Sequence, residues 1–491
     1  MAKFYITTTI PYVNAAPHIG HALEFVQADV IARWRRQQGD DVYFLSGSDE
    51  NAIKNVQAAE AAGISVQELV DKNSQRFRES LVKLNVSFDQ FIRTTEERHK
   101  KGAQALWEAT DKQYIYKKKY HGFYCVGCEL FYEKDELDAK GECFEHPGKQ
   151  LEVVEEENYF FKLSAFQDWL KELIGKDHLH IVPETRKKET LSFIERGLED
   201  FSISRPIERS KRWGVLVPGD ESQTMYVWYD ALANYITALG YPDQNAELYK
   251  NFWQNSDTRL HVLGKGVGRF HTIYWPAMLK AAGLPLPGKE FIHGYITVDG
   301  QKMSKSIGNV IDPFGLVEKY GVDAVRYFFL REIPPTEDGD FSFEKFETRY
   351  NADLASGLGN LVARTLALAS KQSIKYQVSS IKQVSNPKLQ TLIDETKQKV
   401  DEALAEFRFN DALAAIWDII HACDKYVDEK RPWQATEGQK AVIADLLLAI
   451  SHIAELIQPF LPETAQKIQQ QLQGGEAKAL FPRLESRKID T

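Results

Sequence analysis

The chain has 491 residues, 43% of them hydrophobic and 27% charged, with a formal net charge of −9. Its length exceeds one ordinary core, no apolar stretch approaches the roughly 18 residues that span a bilayer, and the start, MAKFYITTT, lacks the apolar block of a signal peptide. A reducing cytoplasm is therefore the expected compartment, and the acidic balance means that any RNA-binding residues must be gathered on one face.

In chain order, KFYITTTIPYV is a buried strand of β-branched and aromatic residues ending at Pro11. Apolar residues then recur at helical spacing (Ile19, Leu23, Val26, Val30, Ile31, Trp34) from about His18 to Gln38, with Gly39 as the stop. DVYFLSGSDEN is a second buried strand with a polar tip. Strand, helix and strand make a parallel unit whose functional side chains belong at the strands' carboxyl ends. From about 115 to 160 the pattern changes to short strands, turns and cysteines. LHVLG returns to a buried strand, and after about Tyr350 the chain is almost all helical, with Ile443, Leu446, Leu447, Ile450, Ile453 and Ile457 on one face. The class is α/β, and the expected division is 1–114 and 224–290 for the two halves of a parallel-sheet domain, 115–223 for an insertion, 291–350 for a lysine loop and connecting segment, and 351–491 for a helical domain.

Four cysteines are present. Cys125-x2-Cys128 is followed after fourteen residues by Cys143-x2-His146. Two close pairs of soft ligands near turn glycines suit tetrahedral zinc, and four protein ligands leave no open position, which points to a structural knuckle. The plain alternative is three thiols and a surface histidine. Cys423 stands apart and is expected as a buried small hydrophobe.

The stretch TIPYVNAAPHIGHALEF places His18 and His21 at the start of the first helix. A helix beginning near Pro17 presents unpaired N–H groups and the positive end of its dipole to an anion, and Gly20 lets a flat nucleotide approach the backbone. Three residues apart, the imidazoles share a face and can donate to oxygens that gain charge in a reaction at phosphorus. Satisfied structural histidines are the alternative. A second stretch, DGQKMSKSIGNVIDP, carries Lys302, Ser304, Lys305 and Ser306 between Gly300 and Gly308. Lysines suit polyphosphate, and a glycine-flanked loop can close over a ligand, although a solvated charged loop reads the same way.

The pair HIGH and KMSKS resembles the signature of the class I aminoacyl-tRNA synthetases. PYVNAAPHIGH, YVWYDALANY, FHTIYWPAML, HGYITVDGQKMSKS and LFPRLE resemble the methionine members of that family over essentially the whole chain. The resemblance implies a Rossmann-type catalytic domain with a zinc-knuckle insertion holding one Zn2+, followed by an all-α helical bundle that binds the anticodon. It implies activation of methionine with Mg2+-ATP to methionyl-adenylate and transfer to tRNA(Met). It also implies that His18 and His21 stabilise the α-phosphate transition state and that Lys302 and Lys305 hold pyrophosphate, with Pro17, Gly20, Met303 and Ser304 beside the ATP. Ile10, Tyr12, Trp228, Ala231, Leu232, Tyr235, Trp275 and His293 would line the methionine pocket, and Asp49 would hold the ammonium. A pocket for a flexible, polarisable side chain should be aromatic with few polar groups, though each of these aromatics can also be ordinary core.

Asn360 and Arg364, four apart on one helix face, and Trp433 after Pro432 suit unstacked loop bases, and the resemblance assigns them to the anticodon. A tryptophan after proline can also close a helix end. Two positions depart from the family pattern: Asn51-Ala52 follows Asp49-Glu50 where His-Gly is usual, and Gly266 stands where an aspartate is usual. A cysteine ligase and a weak tRNA- or nucleotide-binding paralogue are the competing functions. Gly264, Gly266 and Gly268 imitate part of a dinucleotide fingerprint without completing it. A monomer is expected, since no further domain of about 100 residues follows the helices.

Overall fold

A computed structural model describes residues 1–491 apart from 128–129, 133–136, 144–147, 149, 304–307, 373–383, 435–437, 477 and 486–491. The chain forms two compact units. One comprises Met1–Pro17, Arg35–Val82 and Ser87–His293, the other His18–Trp34, Lys83–Val86 and Gly294–Thr491.

The first unit is built on a six-stranded sheet. Its strands are β1 (Lys3–Thr7), β2 (Asp41–Ser48), β3 (Gln90–Arg93), β4 (His180–Val182), β5 (Thr258–Gly264) and β6 (Lys289–His293). They lie in the order β3-β2-β1-β5-β6-β4, with every pair parallel. Phe4 to Thr7 are all buried, as expected of a strand covered on both faces. An isolated parallel bridge between Tyr12 and Asp49 continues the β1–β2 pairing past the strands' carboxyl ends. Gly47 permits the close packing there, since a Cβ at that position would lie 2.4 Å from the carbonyl oxygen of Ile92 and 2.9 Å from Ile10 Cγ2.

The sheet also buries polar groups. His261 and Glu290 are register neighbours on β5 and β6, both almost wholly buried. Thr7 Oγ1 and His261 Nδ1 are hydrogen-bonded at 2.7 Å. Neither carboxyl oxygen of Glu290 has a hydrogen-bond partner among the described residues, and burial holds its acid well above the ordinary carboxyl range.

The insertion differs from the expectation of short strands. Ile115–Cys125 and Glu152–Phe161 pair antiparallel along ten registered positions, from Ile115↔Phe161 to Tyr124↔Glu152. The runs KKK and EEE conceal the alternation of a long two-stranded arm. Lys117 Nζ is tied to Asp220 at 2.7 Å and lies over the Tyr159 ring, so the lysine stem covers aromatic surface.

The first helix, α1 (Ile19–Gln37), contributes its residues up to Trp34 to the second unit. There Arg326, on a helix spanning Val322–Arg331, is completely buried. Its guanidinium pairs with Asp29 of α1 at 2.7 Å and donates to the carbonyls of Leu84, Pro459 and Phe460. Buried charge is tolerated where each donor finds an acceptor. The unit continues through a ten-residue π-helix, Tyr350–Gly359, into helices at Asn360–Lys371, Pro387–Ala405, Phe409–Lys430, Gln439–Ile457 and Pro462–Leu472. The expected apolar face of Gln439–Ile457 is buried throughout. Cys423 is buried as expected, and burial pushes its thiol up to about 12. No helix among the described residues is long and apolar enough to cross a membrane.

Candidate active site

In the second unit, the start of α1 takes a form not foreseen from sequence. His18 occupies the position before the helix, and its carbonyl accepts from the N–H groups of His21 and Ala22 at 3.0 and 3.2 Å. Its ring folds back so that Nδ1 accepts from the Gly20 N–H at 3.1 Å. The His21 ring reaches back in turn, with Nδ1 accepting from the His18 N–H at 3.2 Å. This is a reciprocal cap built from two imidazoles instead of a hydroxyl and a carboxylate. The Ile19 N–H is bonded as well, to the carbonyl of Ile311 at 3.2 Å. The expected row of unpaired amides is therefore replaced by bonded ones, because the rings bend onto the backbone.

The cap fixes the proton on each ring. A backbone N–H can only donate, so each Nδ1 accepts and each neutral imidazole carries its hydrogen on Nε2. The two rings stack with centroids 3.9 Å apart. Burial lowers the His18 pKa to about 4, with desolvation the main cause, so the ring is neutral at physiological pH. Gly20 is required by this arrangement, since a Cβ there would fall 2.9 Å from His18 Cε1. The same point lies 3.6 Å from Met303 Cε, so the unit brings the start of α1 and the lysine loop together. Lys302 is exposed on the short strand Gln301–Lys302, and its carbonyl accepts from Asn309 Nδ2 at 3.2 Å. Pro17, immediately before His18, is buried. Ser304 and Lys305 lie outside the described residues.

In the first unit, a cluster of rings forms at the carboxyl ends of β1 and β2. Trp228 lies on a short helix, Val227–Leu232, stacked on Phe270 at 3.7 Å and 6° and edge-on to Tyr12 at 6.1 Å. Lys54 Nζ sits 4.5 Å from the centroid of the Tyr12 ring. Asp49 is almost wholly buried, and its Oδ1 accepts from the Asn51 N–H at 3.2 Å. Ala231, Leu232 and Tyr235 are buried beside this cluster, Ile10 packs on its edge, and His293 lies against Gly264. Trp275 belongs to the deeper core, fully buried with its ring 6.1 Å from those of both Tyr235 and Trp253.

Phe270 and His271 were missed from the sequence although FHTIYWPAML was singled out. His271 Nδ1 bonds the carbonyl of Val267 at 3.0 Å and its Nε2 bonds Tyr235 Oη at 2.7 Å. Both residues lie on a π-helical turn, Phe270–Tyr274, whose register a hydrophobic period does not report. Trp213 was missed too, and its Nε1 donates to the Glu50 carbonyl at 2.8 Å. Gly266 is exposed on a single 3-10 turn, Lys265–Val267.

Of the knuckle residues, Cys125 and Cys143 are buried in one cluster with Tyr132, whose Oη lies 3.3 Å from Cys143 Sγ. Cys128 and His146 lie outside the described residues. In the second unit Arg364 and Trp433 meet, the guanidinium 4.9 Å from the centroid of the indole ring, while Asn360 is exposed at the start of the same helix as Arg364. Arg364 also pairs with Asp428 at 3.1 Å.

In the first unit the sheet carries an acidic and aromatic cluster at its strand ends, and in the second a helix start sets two imidazoles beside a lysine loop, a donor arrangement that suits a phosphate. The profile of the family described as "tRNA synthetases class I (M)" matches residues 4–366, and that of the "Anticodon-binding domain of tRNA ligase" matches 388–489. The chain belongs to the class I tRNA synthetases of this methionine type. Its relatives include the methionine–tRNA ligase of Brucella suis, 43% identical over 95% of this chain and 91% of that protein, and that of Clostridium acetobutylicum, 43% identical over 96% and 73%. A solved structure of Mycobacterium tuberculosis methionyl-tRNA synthetase in complex with methionyl-adenylate matches with a TM-score of 0.90 at 39% identity, covering 98% of this chain and 100% of that one.

Proposed function

We propose that the chain is a methionine–tRNA ligase that first activates methionine and then esterifies tRNA(Met). The methionine carboxylate attacks the α-phosphorus of Mg2+-ATP, and the bond to the bridging oxygen breaks as pyrophosphate leaves. A hydroxyl of the terminal tRNA ribose then attacks the adenylate's carbonyl carbon and AMP departs. The observation that carries this reading is the imidazole pair at the helix start, each Nδ1 accepting from a backbone N–H, which leaves Nε2 to donate to phosphate oxygens that gain negative charge. A preorganised donor of this kind contributes about 3–4 kcal/mol in the transition state.

In this reading His18 and His21 serve the α-phosphate, Lys302 and Lys305 hold the pyrophosphate, and Pro17, Gly20, Met303 and Ser304 border the nucleotide. Asp49 holds the methionine ammonium. Ile10, Tyr12, Trp228, Ala231, Leu232, Tyr235 and His293 surround the side chain, backed by Trp275. Asn360, Arg364 and Trp433 bind anticodon bases by stacking and edge hydrogen bonds. The burial of Cys125 and Cys143 in one cluster fits a thiolate-rich metal site. Cys125, Cys128, Cys143 and His146 would hold one Zn2+, which supplies a crosslink within the insertion and no catalytic step. A cytoplasmic location is part of this reading.

The test is amino-acid-dependent ATP–pyrophosphate exchange across the twenty amino acids. Exchange with methionine alone is expected. Exchange with cysteine would favour the other ligase, and none with any amino acid, in a folded protein that binds tRNA, would favour a paralogue without charging activity.

A further inference from the structure

Asn51-Ala52 departs from the family pattern at a place where contacts around the amino acid are expected. The structure gives both residues a definite partner, the helix that carries Trp228. Asn51 Nδ2 donates to Asp230 Oδ2 at 2.7 Å and to the Thr94 carbonyl at 3.1 Å. Ala52, fully buried, packs in a cluster with Tyr226 and Val227 at the start of that helix. Asp230 is itself only 1% exposed, and its second oxygen is bonded to His99 Nε2 at 2.6 Å. The far side of the His99 ring meets Thr237 Oγ1 at 2.9 Å. Each oxygen of this buried carboxylate thus faces a donor from a different segment.

We propose that Asp230 is a positioning residue of the amino-acid site, with Asn51 as the strut that transmits its position. The inference rests on the methionine-binding reading of Asp49 and Trp228. Asn51 joins the two halves of that site. Its backbone N–H orients the Asp49 carboxylate, and its side-chain amide fixes the helix on which Trp228 stands two residues before Asp230. A buried hydrogen bond thereby ties the segment of the ammonium-binding carboxylate to the helix that carries the indole wall. Asn51 can do this because an amide donates without charge. An aspartate there would put two carboxylates together away from water, which is strongly unfavourable.

The role separates from simple structural support in the kinetics. A merely structural residue would change the thermal midpoint and leave each substrate's Michaelis constant alone. Asp230→Asn and Asn51→Ala should each raise KM for methionine in the exchange reaction by roughly tenfold, with KM for ATP and kcat little changed. The double variant should be worse by less than the two single effects combined, since both act on the Asn51–Asp230 contact. Asn51→His, which keeps a neutral donor, should restore KM towards that of the unaltered chain. If Asp230→Asn does not fold, Asn51→Ala carries the test, because it leaves the Asp230–His99 pair in place. An unmoved methionine KM in folded Asn51→Ala, or equal rises for methionine and ATP, overturns the proposal. Failure of the unaltered chain to catalyse exchange overturns the ligase reading, and this proposal with it.

Discussion

The guanidinium of Arg364 lies 4.9 Å from the centre of the Trp433 ring, and Trp433 keeps 49% of its surface exposed. A large indole held in water against a cation is a stacking surface prepared in advance. Base–aromatic stacking is worth about 1–3 kcal/mol per base. Trp433→Ala should therefore raise KM for tRNA by roughly 5- to 150-fold while methionine-dependent exchange is unchanged. Equal damage to both activities would remove the residue from the RNA-binding face.

His18 should not behave as an ordinary surface histidine. Burial lowers its pKa to about 4. Its ring resonance, identified by its loss in His18→Gln, should show no titration between about pH 5 and 8. Because the folded value is depressed, this ring's contribution to stability is present above the unfolded pKa near 6.5 and is lost as pH falls towards 4. A midpoint near 6.5 in the folded protein would refute the buried cap. Removal of the donor in His18→Ala should slow exchange about 100- to 1,000-fold.

Glu290 gives the opposite linkage. Its folded pKa is raised by burial, so its contribution to stability is fully present below the unfolded carboxyl value and is lost as pH rises above it towards the folded value. Glu290→Gln should match the unaltered protein near pH 4 and exceed it at pH 7, by on the order of 1–3 kcal/mol in denaturant unfolding. A variant less stable at pH 7 than the unaltered protein would mean that the carboxylate has a partner.

The proposed zinc site is tested by metal analysis. The purified protein should contain about one zinc per chain, and chelation should destabilise the insertion, seen as early proteolysis within residues 115–160. Absence of zinc from protein prepared without chelators would remove the site. Cys143→Ser should have the same effect as chelation.

Much of this was legible in the chain. The strands KFYIT and DVYFLSGS announced themselves by continuous apolar runs, and the helix expected over His18 to Gln38 spans Ile19–Gln37. What escaped was polar and long-range. Asn51 and Asp230 are 179 residues apart, and no periodicity joins them. His99 was invisible because it lies on the buried face of an otherwise charged helix, Glu97–Ala109. The lysine and glutamate runs of the insertion hid two long strands, since Lys117 and Lys118 lie over the rings of Tyr159 and Phe160 while the charges of both runs read as solvent-facing. The histidine cap could not be read either, because spacing shows that two rings share a face but not which backbone amides they take.

The buried pair of Arg326 and Asp29 has a practical consequence for chimeras with related ligases. A chimera joined at residue 294 would separate the arginine from its acceptor, leaving a charge stranded in a foreign interior, which typically costs about 3–5 kcal/mol. The transferable piece is discontinuous: residues 18–34 and 83–86 must travel with 294–491. The helix start formed by His18 and His21 is thus inherited with the C-terminal helices, and grafting one without the other should yield an insoluble protein.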